Sequence, residues 1–65
     1  MFTIIETTNV RRTDIAKAAS FAEAKAIVEA MGVVFMEDDS DHPNCADAFM
    51  NDGRILAIQP EGFTL

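Results

Sequence analysis

The segment from Ser20 to Gly32 constrains the fold of this 65-residue chain most strongly, because it predicts one amphipathic helix with both ends marked. Ser20-Phe21-Ala22-Glu23 is a capping box, in which the serine hydroxyl accepts from the Glu23 N–H and the Glu23 side chain reaches back to the Ser20 N–H. Gly32 stands where a left-handed C-cap belongs. An apolar stripe at the helical period lies between these ends, formed by Phe21, Ala24, Ile27, Val28 and Met31. A stripe of this kind predicts a helix that covers a sheet.

The chain before the helix predicts strands. Residues 2–8 are rich in β-branched side chains and predict a first strand. Residues 14–19 are ambiguous, because Ala and Lys favour a helix on propensity whereas a helix that begins at Ser20 leaves residues 15–19 as a second strand. We favour the strand, and the helical alternative stays open at this point.

Three further strands are predicted after the helix. Val33–Met36 is expected to be a buried strand, and residues 40–44 have the composition of a loop. Residues 46–50 and 54–58 predict a hairpin, whose Asp52-Gly53 suits a two-residue type I′ turn or a three-residue loop with Gly53 left-handed. Pro60 should end the last strand, and Phe63 in the tail could fold back on the core. The expected fold is a single domain over residues 1–65 of the α+β class, a four- to five-stranded antiparallel sheet with one helix on one face, in the order β-β-α-β-β-β.

One helix cannot cover both faces of such a sheet. Val33–Met36 and Ile55–Ile58 are apolar at consecutive positions, so both faces of these strands carry apolar side chains. Monomers rarely keep a large apolar patch exposed. We therefore expect the second face to be buried by a second copy, as a homodimer, or by a partner protein.

Acidic residues dominate the polar chemistry of the chain, which has a net charge of −6. Such a surface repels phosphate backbones and anionic lipids, so we expect neither direct nucleic-acid binding nor membrane binding. A basic protein or nucleoprotein complex is the natural partner. Between residues 37 and 52 the chain has six acids and no Lys or Arg, and we take these acids as the candidate partner-binding residues. They are Glu37, Asp38, Asp39, Asp41, Asp47 and Asp52.

Alternate positions on a strand share a face, so Glu37 and Asp39 can point together while Asp38 points the other way. The hairpin that follows could bring Asp47 and Asp52 near the same edge. A patch of this kind would steer a basic partner and could occupy a site meant for phosphates. The alternative is that the acids only solvate an edge and block aggregation.

The acids and their neighbours do not form a recognisable metal or catalytic site. Counted from Asp39, an EF-hand loop fails at several ligand positions, and His42 with Cys45 supplies two of the four ligands that a structural zinc needs. We therefore expect no metal, no cofactor and no enzymatic activity. Cys45 is expected to be a small buried side chain. A lone cysteine and an N-terminus unlike a signal peptide favour the cytoplasm.

In length, acidity and the sheet-plus-helix plan marked by Ala18-Ala19-Ser20-Phe21-Ala22-Glu23-Ala24-Lys25, the chain resembles small phage-encoded inhibitors, including anti-CRISPR proteins. The resemblance is one of architecture and carries no sequence motif. It implies binding to a Cascade-type complex or a Cas nuclease, with acids covering the Lys and Arg side chains that hold DNA. The alternative is a homodimeric structural or accessory module, whose acids serve only solubility.

Overall fold

The computed structural model describes residues 1–62, which form five strands and one helix in the predicted order. The elements are β1 (Phe2–Thr7), β2 (Arg12–Ala18), α1 (Phe21–Ala30), β3 (Val33–Asp38), β4 (Ala46–Met50) and β5 (Ile55–Pro60). All strand pairs are antiparallel, and the spatial order across the open sheet is β2-β1-β5-β4-β3. The predicted α+β fold class is confirmed, and residues 14–18 belong to a strand. The expectation for Phe63 lies outside the described residues.

The helix begins and ends where its sequence signals predict. The Ser20 hydroxyl accepts from the Glu23 N–H at 3.1 Å. The Glu23 carboxylate accepts in return from the Ala19 N–H at 3.1 Å, one residue further from the helix than a standard capping box predicts. Gly32 follows the C-cap residue with a φ of +96°, and a Cβ there would approach the Asn51 side-chain nitrogen to 2.9 Å. Glycine is favoured at this turn by its positive φ, whereas the Asn51 side chain could move to admit a Cβ.

The core lies between α1 and one face of the sheet, here called the covered face. The largest fully buried side chains are Ile4, Leu56, Ile58 and Val28. Strand β4 contributes small residues to the same core, Ala46 and Ala48, both buried. The helix packs over β1, β5, β2 and β3, and its contacts with β4 are the fewest. The chain therefore has a single thin core, centred on β5.

Val33–Met36 belongs to a strand as predicted, but the expectation that this strand is buried was wrong, because only Val33 and Met36 are partly buried. Strand β3 is the outermost strand on its side of the sheet, and Val34 and Phe35 are 70% and 54% exposed. The physical reason is the topology: β5 pairs with β1 at the centre, so β3 is left at the outer edge, where only Val33 and Met36 pack against the core. A register shift between Val33 and Phe35 adds a bulge at Val34.

The β4–β5 hairpin uses the three-residue alternative. Met50 and Arg54 close the loop through a bond from the Met50 N–H to the Arg54 carbonyl at 2.9 Å. The Gly53 N–H donates to the Met50 carbonyl, and Gly53 has a φ of +91°. Among the described residues only Asn44 and three glycines have a positive φ, which excludes the type I′ turn because that turn needs two such residues in succession.

Candidate functional site

The face of the sheet opposite the helix, here called the open face, carries an apolar row across three strands. Phe35 lies opposite Phe49, and Phe49 lies opposite Ile55. The two rings are stacked, with centroids 5.9 Å apart and planes 27° apart. Phe49 and Ile55 are each 40% exposed, beside the half-exposed Phe35. This row of large apolar side chains is accessible from solution.

A pair of carboxylates forms the next row of the open face. Glu37 lies directly opposite Asp47, and both side chains are exposed. The Asp39 N–H donates to the Cys45 carbonyl at 2.9 Å, so by the alternation of an antiparallel ladder Glu37 and Asp47 also form a hydrogen-bonded pair. Their Cα atoms are then about 5.5 Å apart. Neither carboxylate forms an ion pair within residues 1–62. Like charges placed directly opposite each other destabilise a sheet.

Asp38 points to the covered face, as strand alternation predicts. Its carboxylate accepts from the Lys25 ammonium at 2.8 Å and is paired with it. Lys25 also lies 4.5 Å from the centroid of the Phe21 ring, which fixes its stem along the helix. Asp38 is therefore largely neutralised by the fold itself.

Asp39 and Asp41 lie in the loop between β3 and β4, where Asp39 organises the backbone. One Asp39 oxygen accepts from the Asp41 N–H and the other contacts His42 Nδ1, both at 2.9 Å. The hydrogen bond from the Asp41 N–H and then the one from His42 hold the pKa of Asp39 below its usual value. Asp41 is exposed at the loop surface. Asp39 therefore stabilises the loop through hydrogen bonds, whereas the Asp41 side chain is exposed to solvent.

Asp52 is separated from the other acids. It lies in the β4–β5 loop, at the opposite end of the five-residue strand β4 and roughly 17 Å along it from the β3–β4 loop. Its carboxylate accepts from the Arg54 N–H and from Arg54 Nε, and these bonds lower its pKa. Arg54 also reaches Glu6 at 3.3 Å. The fold places Asp47 beside Glu37 but does not bring Asp52 to that edge.

One shallow depression gathers the acids at the end of β3. It is lined by Glu37, Asp38, Asp39, Ser40 and Asp47. Among these, Asp38 is ion-paired with Lys25 and Asp39 accepts hydrogen bonds within the loop, whereas Glu37 and Asp47 form no ion pair within residues 1–62. Sequence reasoning did not select Phe35, Phe49 and Ile55 as site residues. The sequence did contain a signal for the two aromatic residues. Phe35 is two residues from Glu37 on β3, and Phe49 is two residues from Asp47 on β4, so each ring shares a face with a selected acid.

The remaining side chains of residues 1–62 do not form a second candidate site. No group of three or more His, Cys, Asp or Glu side chains within residues 1–62 is arranged to hold a metal ion. Cys45 is buried as predicted, and burial raises the pKa of its thiol, aided by Asp39 and Asp47. No helix in this part of the chain is long and apolar enough to cross a membrane.

Comparison with known proteins does not assign the chain to a family. No protein-family model, no curated protein and no solved structure matches it.

Proposed function

We propose that this chain is a small, non-enzymatic protein-binding inhibitor that presents an acidic surface to a basic, nucleic-acid-binding partner. The binding surface is the outer half of the open face, formed by β3 and β4. Glu37 and Asp47 supply its charge, with Asp41 in the neighbouring loop, and Phe35 and Phe49 supply its apolar contact. The partner is a protein or nucleoprotein complex.

The observation that carries this proposal is the Glu37–Asp47 register pair. Two carboxylates directly opposite each other cost the isolated fold stability. Asp38 and Asp52 show that the same chain neutralises acids elsewhere with Lys25 and Arg54. A basic side chain from a partner, placed between the two carboxylates, would relieve their repulsion and form charge-assisted hydrogen bonds with both.

The adjacent aromatic pair supports a protein partner over a free cation. Phe35 and Phe49 form one row of the open face and the carboxylates form the next. Aromatic side chains are enriched at the centres of protein interfaces, where their burial supplies much of the affinity. Arginine suits such a surface, because its guanidinium binds carboxylates in a bidentate manner and stacks on aromatic rings.

The resemblance to small phage-encoded inhibitors gives the proposal a specific form. The partner would be a Cas complex or nuclease, and the carboxylates would occupy the Lys and Arg side chains that otherwise hold DNA. A cytoplasmic location is part of this proposal, because a single cysteine suits a reducing compartment.

The test is an affinity-capture experiment with matched charge reversals. Glu37→Lys and Asp14→Lys change the net charge equally. Asp14 lies on β2, at the opposite edge of the sheet, where it pairs with Ile5 of β1. We expect affinity capture from cells carrying a CRISPR system to recover a DNA-binding protein with the wild-type chain and with Asp14→Lys. Glu37→Lys should lose it.

Raising the salt concentration should weaken the captured complex, because exposed charges are screened within about 10 Å at 0.1 M salt. Equal capture by both variants, or an affinity that does not depend on salt, would show that the acids do not bind the partner. Circular dichroism of each variant would confirm that both remain folded.

A second candidate is a homodimeric accessory module that buries the open face against a second copy. The exposure of Phe35, Phe49 and Ile55 favours it, because monomers seldom leave such a row in solvent. Sedimentation of the isolated chain across a range of concentrations separates the candidates. We expect a monomer; a stable dimer that is lost in Phe35→Ser would favour the accessory module.

A further inference from the structure

Within residues 1–62, no strand pairs with the outer edge of β3. Because Glu37 exchanges its backbone bonds with Asp47 on β4, the intervening residues Met36 and Asp38 direct their N–H and C=O groups away from β4. Strand β3 is the last strand on this side of the sheet. A row of this kind is a template for pairing with another extended chain.

The two edges of the sheet differ in how they are protected. Strand β2 carries Arg12, Asp14 and Lys17, and its pairing with β1 is interrupted near its middle. Charged side chains and central bulges are the usual means of blocking edge pairing. In β3 the register shift falls at Val34, near the start, so Phe35 to Asp38 pair regularly with β4. Strand β3 also carries two charges, Glu37 and Asp38, but its uninterrupted run of four paired residues is longer than either three-residue run of β2.

A groove runs beside this edge on the helix side. It lies between α1 and β3, and its apolar lining includes Val33 and Met36, with Lys25 and Glu29 on the helix wall. On the other side of β3 the open face presents Phe35 and Glu37. A strand added here would place alternate side chains in the groove and on the open face.

We infer that the β3 edge binds an extended segment of the basic partner by strand addition, with apolar side chains in the groove and basic side chains beside Glu37 and Asp47. The inference rests on the proposed function and specifies how the partner is held. Main-chain bonds to Met36 and Asp38 would supply affinity, and the alternating pockets would supply specificity.

Charge decides which occupant suits the edge. The carboxylates of Glu29 and Glu37 border the position of an added strand, Asp47 lies opposite Glu37 on the next strand inward, and Lys25 is already paired with Asp38. A second copy of this chain has a net charge of −6 and would bring the same acids to the interface. A basic segment complements this edge, whereas a second copy is repelled by it.

The probe is a blocked seven-residue peptide that alternates lysine and valine, so that lysines occupy one face and valines the other. Its control is the same peptide with every internal amide N-methylated, which keeps the charge and removes the pairing N–H groups. We expect the unmodified peptide to bind and the N-methylated peptide to bind about tenfold more weakly or not at all, the effect of losing one or two backbone hydrogen bonds.

Amide exchange by NMR locates the bound peptide. The unmodified peptide should slow exchange at Met36 and Asp38, whose N–H groups face outward, and leave Glu37 little changed, because its N–H already bonds to β4. The variant Asp38→Pro removes one outward donor and should lose binding about tenfold, whereas Asp38→Ala should keep it. Both variants lose the ion pair with Lys25, so this loss cancels in the comparison.

Equal binding of the two peptides, weakened by salt and by Glu37→Lys, would overturn strand addition while leaving the acidic-surface proposal intact. Failure of both peptides to bind would also overturn strand addition, and the capture experiment with Glu37→Lys would then decide the proposed function separately. If the chain alone forms a dimer that Asp38→Pro abolishes, the edge belongs to a second copy and the inference is wrong.

Discussion

The two faces of this sheet are built from the same strands and have opposite characters. On β5, Leu56 points to the covered face and is fully buried, whereas its neighbour Ile55 points to the open face and is 40% exposed. The covered face has aliphatic side chains and alanines packed under α1. The open face of β3 and β4 combines two exposed aromatic rings with two opposed carboxylates.

This difference separates the face that supports the fold from the face that we propose binds a partner. A domain of this length buries only about 60% of its unfolded surface, so it has little stability to lose. The covered face concentrates the packing that supports the fold. The open face retains apolar area and like charge that the isolated chain does not use, which is the state expected of a surface that a partner completes.

The strongest test of the comparison uses two adjacent residues of β5. Leu56→Ala removes a fully buried side chain and should lower the free energy of unfolding by about 2–5 kcal/mol. Ile55→Ala removes a half-exposed one and should cost about 1 kcal/mol or less, because most of the cavity it leaves is open to water. Urea denaturation of both variants measures the difference. Equal losses would mean that the open face is as well packed as the covered face.

The two aromatic pairs offer a second test of smaller size. Phe2 and Phe21 join β1 to the helix, with centroids 5.8 Å apart, whereas Phe35 and Phe49 lie on the open face. We expect Phe21→Ala to cost about 2–3 kcal/mol of stability, and Phe35→Ala about 1 kcal/mol, close to the value of the aromatic pair alone. Partner binding should show the reverse order, with Phe35→Ala the more harmful. The comparison would fail if Phe21→Ala weakened binding more than Phe35→Ala at temperatures where both are folded.

The sequence predicted the fold class because its local signals agree with one another. The capping box at Ser20, the apolar stripe and Gly32 delimit the helix, and a helix beginning there leaves β2 as a strand. Whether the strand that contains Val33–Met36 is buried or exposed could not be predicted in this way. An apolar run indicates a strand but does not say whether the strand is central or outermost, and that depends on the pairing of β5 with β1.

The sequence identified the acids of the candidate site but did not predict how the fold arranges them. Proximity in sequence grouped six acids, whereas the fold divides them according to partners that are distant in sequence. Lys25 is thirteen residues from Asp38, and its pairing with that carboxylate depends on how α1 crosses the sheet. The opposition of Glu37 and Asp47 depends on the register of β3 against β4, which a loop of uncertain length leaves open. Charge alone therefore indicated the region, and strand register selected the two residues within it.

The prediction with the smallest expected effect tests whether the carboxylate pair destabilises the isolated chain. Glu37→Gln keeps the size of the side chain and removes the repulsion, so it should raise the free energy of unfolding by about 0.2–1 kcal/mol. Asp41→Asn is the control, because Asp41 lies in the loop with no carboxylate opposite it on a neighbouring strand. The gain should shrink in 1 M salt, where the screening length falls to about 3 Å.

A double-mutant cycle with Asp47→Asn completes the argument. If the two carboxylates repel each other, either substitution alone relieves the repulsion, and the second adds little. Additive gains, or a loss of stability in Glu37→Gln, would show that the pair is not strained. The same Glu37→Gln chain should bind its partner more weakly while being more stable. That combination separates a binding residue from a structural one, because a residue kept for the fold would lower both quantities when changed.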